Sequence, residues 1–144
     1  MCSIAATGEL GLEACYAAHW GAPLALVHGD EAACREAEAR FPNVVTAPVK
    51  RAVTEELSEG LDPAAAHRLV AEKIHEALAK VRRGEIPVLR PTLPMTVSIR
   101  MTTVEAAEKA MQRPGVERVD ERTVQAHPAV HGDVVNWIVG LGVS

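Results

Sequence analysis

Glu9 stands in the string TGELGLEACYAAHW (residues 7–20), with Gly8 before it and Gly11 two residues after it. There an extended opening gives way to an alanine-rich helix. Its neighbours are nearly all small or apolar, so the sequence carries this carboxylate towards the interior. Ligands gather at strand-to-helix junctions of α/β sheets, and flanking glycines let the backbone approach another group closely. A glutamate in the first turn of a helix is equally favoured by the helix dipole. Both readings of Glu9 stay open at the level of local sequence.

Other residues have types that could do chemistry. Cys15 and His19 lie four apart, the minimal geometry of a thiolate–imidazole pair, and also fall on the stripe of a helix that packs inward. His28 and Asp30 bracket Gly29 at the end of an apolar run, and His127, His131 and Asp133 cluster further on. Either group offers metal donors, yet neither has the spacing of a closed zinc site, and Asp30 also suits a helix cap. His67 and His75 are two helical turns apart on a polar face. Lys50 ends another apolar run, where it faces a cleft or solvent. The glycines of GELG lack the GxGxxG phosphate fingerprint, and no GxSxG string occurs.

Composition narrows the class. A chain of 144 residues suits one domain, residues 1–144. Hydrophobic residues make up 48% but aromatics only 3%, so the core must come from Ala, Val, Leu and Ile in close packing. A formal charge of -4 with both signs interspersed, and so few aromatics, argues against a nucleic-acid partner. Apolar runs such as Ala22 to Val27 are far too short to span a bilayer, so no membrane partner is expected. Met1 to Thr7 lacks the form of a signal peptide, and three cysteines without framework spacing indicate a reducing compartment. A cytoplasmic location is therefore expected.

The elements that must position these residues alternate between strand and helix. Leu10 to His19 has helical spacing and stops at Trp20-Gly21 with Pro23 beyond. Pro23 to His28 (PLALVH) reads as a strand buried on both faces. Asp30 can cap a helix over Glu31 to Arg40, and Val44 to Val49 reads as a second strand. Lys50 to Leu61 reads as a polar connection with a helical turn. Asp62 and Pro63 start a long helix with an apolar stripe through Leu69, Val70, Ile74, Ala77, Leu78 and Val81, closed by Arg82-Arg83-Gly84. Ile86 to Pro94, with three prolines, is an extended connector. Strand, helix, strand and helix follow over Thr96–Met101, Thr103–Gln112, Arg122–His127 and Val130–Leu141. The pattern specifies an α/β fold, parallel at first and mixed or antiparallel later.

The ordered series of motifs closely resembles the D-aminopeptidase family. It comprises Gly8-Glu9-Leu10-Gly11-Leu12, Gly21-Ala22-Pro23, Gly29-Asp30-Glu31, the turn at Pro42, Val49-Lys50, and later LDPAAAHRLV and GVERVDERTVQ. The resemblance implies an α/β fold with a mixed, mostly parallel sheet flanked by helices, part of a three-layer sandwich of the D-aminopeptidase type. It also implies metal-dependent hydrolysis of N-terminal residues, D-residues by preference, from short peptides at a two-zinc site. The family's zinc ligands are an N-terminal Asp-x-Glu, two histidines, and the glutamate of the GE[IL]GL motif, which Glu9 matches.

The same resemblance marks the chain as the C-terminal half of a family member, beginning just before the GELGL motif. The Asp-x-Glu, both histidine ligands and the catalytic histidine have no counterpart here, and Glu13 replaces the family's asparagine. The chain is thus expected to be inactive alone and to act as a homo-oligomer or with a complementing N-terminal half. Two alternatives are a non-catalytic α/β domain that oligomerises, and a small-ligand-binding module built on Lys50, Glu9 and Asp30.

Overall fold

A computed structural model of the chain describes residues 8–130, 132–134 and 136. These fall into two compact units, Gly8–Leu89 and the residues from Arg90 onward. Both have helices and mixed or antiparallel sheet, in keeping with the α/β class.

In the first unit, α1 (Glu9–His19) precedes β1 (Leu26–Asp30), α2 (Glu31–Arg40), β2 (Val45–Ala52), β3 (Ser58–Gly60) and α3 (Pro63–Arg82). The helix α1 buries Gly11, Ala14, Cys15 and Ala18, one stripe at helical spacing. Asp62 caps α3 through Ala64 and Ala65 N–H, with Pro63 in the first turn, as the sequence predicts. The apolar stripe of that helix is buried only at Ala77, while Ile74 and Leu78 stay exposed.

The sheet order is β1-β2-β3. β1 and β2 run parallel with Val27 opposite Thr46, and β3 returns antiparallel with Gly60 opposite Lys50. Val27 packs with Cys34 and Ala37 of α2, and the Thr46 hydroxyl donates to Glu38 of α2 at 2.6 Å. Those two strand residues therefore face α2. Alternation along β2 turns the buried Val45 and Ala47 to the other face, and α3 packs against both strands. Helix, sheet and helix form three layers here.

Residues 50–61 differ from the expected polar connection. β2 continues to Ala52, and a hairpin follows: Val53 and Thr54 N–H donate to Leu57 O, and the Thr54 hydroxyl accepts from Glu56 and Leu57 N–H. Both arms are solvent-exposed at this end, so no buried face writes an alternation into the sequence.

The second unit holds β4 (Val97–Arg100), α4 (Val104–Ala110), β5 (Glu117–Arg118) and β6 (Thr123–Ala126), an antiparallel sheet of order β4-β6-β5. Met101, Ala107, Ala110, Val116, Val124 and Ala126 form its core. Residues 86–96 contain no helix or strand, as the three prolines require. Parallel pairing is confined, among the described residues, to β1 with β2. The final helix expected over 130–141 lies largely outside the described residues. No described helix is long and apolar enough to cross a membrane.

Candidate functional site

The GELG string makes Gly8 the N-cap of α1 in extended conformation, without a side-chain cap, and puts Glu9 in the first turn. Glu9 is exposed, contrary to the inward placement expected from its small neighbours. Those neighbours are small because α1 buries them on a stripe that Glu9 does not share. Among the described residues Glu9 has no ion-pair partner, so its carboxylate is available at the surface of this unit. Glu13 is exposed as well.

Cys15 and His19 do not form a nucleophilic pair. Cys15 is buried, and burial pushes its thiol up, away from the thiolate that catalysis needs. His19 is exposed and meets Trp20 edge-on, with ring centroids 5.0 Å apart. His67 and His75 are exposed on α3, and His28 is exposed on β1. His127 Nδ1 lies 3.0 Å from the Thr96 hydroxyl and its Nε2 3.6 Å from Glu117. His131 lies outside the described residues, and Asp133 is exposed.

Asp30 does more than cap. Its Oδ1 accepts from Ala32 N–H at 2.7 Å, as expected of an N-cap, and its Oδ2 accepts from Ala52 N–H at 2.9 Å. A register shift between Gly29 and Asp30 aims the carboxylate across the sheet, and the φ of 136° at Gly29 is one that glycine adopts readily. The reach to Ala52 was not legible, because it depends on the hairpin.

Beyond this clamp, at the carboxyl ends of the parallel pair, lies an open cleft of about 320 Å³. Pro48, Val49, Lys50, Arg51, Glu31, Glu59, Gly60 and Leu61 line it. Ligands of open α/β sheets bind at this end of the strands. A second crevice, beside Ala14, Ala18, Phe41 and Ile86, has room of only about 10 Å³ and is a packing gap.

Zinc takes four donors from nitrogen, sulfur or oxygen. Among the described residues no three His, Cys, Asp or Glu side chains come together in a way that could hold a metal ion. The described residues alone therefore do not fit a zinc centre, and Glu9 is at most one donor to it.

A family model described as D-aminopeptidase matches residues 5–139. The D-aminopeptidase of Bacillus subtilis (strain 168) is 38% identical over 119 residues, 82% of this chain and 43% of the relative. The solved structure of the Zn-dependent D-aminopeptidase DppA from Bacillus subtilis, described as a self-compartmentalizing protease, superposes with a TM-score of 0.88 at 31% identity. That match covers 96% of this chain and 50% of DppA. The chain belongs to the D-aminopeptidase family and has its α/β fold. It spans half or less of the length of these relatives.

Proposed function

We propose that residues 1–144 supply the Glu9-bearing part of a zinc-dependent aminopeptidase. Its substrates are short peptides, from which it removes N-terminal residues, D-residues by preference. The observation that carries this reading is the placement of Glu9. The GELGL string sets an exposed carboxylate, without an ion-pair partner among the described residues, on the first turn of α1, inside a family match that runs almost end to end. Carboxylate oxygen is a suitable zinc donor.

The described residues of a single copy gather no further donors into a metal site, so the other ligands come from beyond that copy's described residues. A neighbouring copy in a homo-oligomer, or the portion that relatives carry in addition, supplies them. The self-compartmentalizing relative supports an assembly of copies. The free thiols of Cys15 and Cys34 support a reducing, cytoplasmic setting.

Zinc calorimetry and hydrolysis of a D-alanyl dipeptide test this together. Each is run on the chain alone and on the chain mixed with the part of the Bacillus subtilis relative that it does not cover. The expected result is stoichiometric zinc binding and hydrolysis in the mixture, both lost with Glu9→Gln. Zinc binding and turnover indifferent to Glu9→Gln would overturn the assignment.

A further inference from the structure

The cleft at the ends of β1 and β2 has one charged lining side chain without an ion-pair partner among the described residues. Four of its lining residues are ionisable: Glu31, Lys50, Arg51 and Glu59. Three are already paired. Glu31 holds Arg35 at 2.8 Å, and Arg51 holds Glu59 at 3.0 Å across the β2–β3 hairpin. The neighbouring Asp30 directs one carboxylate oxygen to Ala32 N–H and the other to Ala52 N–H. Lys50 has no side-chain hydrogen bond or ion pair among the described residues. Lys50 is thus the one charged lining residue without a direct partner among the described residues, with the N–H-bonded Asp30 as its register neighbour on β1.

The backbone leaves room beside it. Lys50 is paired with Gly60 in the antiparallel register, so their side-chain positions share one face of the sheet. A Cβ added at Gly60 would lie 3.8 Å from Lys50 Cβ and 3.4 Å from Val49 O. Any larger side chain there would fill the space next to the lysine stem. Glycine keeps it open, and its φ does not require glycine, so access is what its small size provides.

We propose that this cleft takes the free carboxylate end of a short peptide, with Lys50 as the residue that selects it. The peptide identity of the ligand rests on the aminopeptidase reading above, whereas the preference for a carboxylate rests on Lys50 and Gly60 alone. An enzyme that trims one residue from the amino end of short peptides gains length selectivity by holding the far carboxylate. A strand-end ammonium can do this.

The test is binding, measured by calorimetry with chelator present, so that no metal contributes. The probes are D-alanylglycine and the same dipeptide as its C-terminal amide, which share their amino end and differ only in the charge at the other. Free acetate serves as a third probe, separating a peptide carboxylate from any small carboxylate. The acid should bind about tenfold more tightly than the amide. Lys50→Ala should abolish that difference and Lys50→Arg should keep it. Gly60→Val, which leaves the charge in place, should weaken acid binding by a similar factor.

Equal binding of acid and amide, acid affinity unchanged in Lys50→Ala, acetate binding as tightly as the dipeptide, or no saturable binding of the acid would each overturn the proposal. The zinc titration is independent of it. A chain that passes here and shows no role for Glu9 in zinc binding keeps a carboxylate cleft and loses the peptidase reading. The opposite result leaves Glu9 a ligand and the cleft unassigned.

Discussion

The carboxylate of Asp30 joins two N–H groups that lie 20 residues apart, Ala32 at 2.7 Å and Ala52 at 2.9 Å. One belongs to the start of α2 and the other to the end of β2, so a single side chain fixes the corner at which the cleft opens. Asp30→Ala should destabilise the chain by about 1–2 kcal/mol, the loss of a cap together with a backbone partner. Asp30→Asn, which keeps one acceptor oxygen, should recover part of it. Urea unfolding followed by circular dichroism measures both, and equal stability of all three proteins would show that the clamp holds nothing.

Glu9 makes the opposite prediction. It is exposed and unpaired among the described residues, so Glu9→Gln should change stability by less than about 0.5 kcal/mol. A large drop in the same urea experiment would mean that the carboxylate supports the fold, and its loss could no longer be read as loss of a metal donor.

Val124 is fully buried at the centre of the second unit, against Ala107, Ala110 and Ala126. Truncation would leave a space that the surrounding core fills only in part. Val124→Ala should therefore cost about 1–3 kcal/mol. Ala107→Leu should cost a comparable amount for the opposite reason, since the site has no room to accept extra carbons. Unfolding midpoints of the two variants check both directions.

The thiols offer a chemical test of burial. Cys15 is raised by burial, and Cys34 is raised chiefly by burial while it donates to Val27 O at 3.7 Å. A raised value leaves less thiolate near neutral pH, so both should react with iodoacetamide at least about tenfold more slowly in the native chain than in urea. Peptide mapping by mass spectrometry resolves the two sites. Rapid native labelling of Cys15 would reopen its pairing with His19.

Glu117 carries a pH-dependent share of stability. Donation from the Gln125 amide, followed by the nearby His127, holds its carboxyl below the ordinary 4.5. The folded chain then binds fewer protons than the unfolded chain in the window beneath that value. This contribution is fully present above 4.5 and is lost as pH falls through the folded value. Glu117→Gln should thus be less stable than wild type at about pH 7 and indistinguishable from it at about pH 2, by urea unfolding at both. A gap that persists in acid would point to packing rather than charge.

The parts of the fold that were legible in sequence are those where one residue type has one physical use. Asp62-Pro63 started α3, Asp30 capped α2, and the end of the apolar run before Gly29 became a strand paired in parallel with β2, although His28 is exposed and the strand is not buried on both faces. The 50–61 hairpin escaped because its arms face water on both sides, and KRAVTEELSEG carries no buried period to read. Thr54, whose hydroxyl closes the turn on Glu56 and Leu57, was the signal available. That omission also hid Gly60 and with it the wall of the cleft. Glu9 stands out among its small neighbours, but composition alone could not tell a small-residue stripe beneath it from a pocket around it.

Trp20 closes α1 with 72% of its surface exposed. In optical terms, the indole is a built-in reporter at the end of the helix that begins at Glu9. Whatever docks over that end will strip water from the ring and move its emission to shorter wavelength. Any docking over that end can thus be followed without an added label, in a variant that replaces the second tryptophan, Trp137.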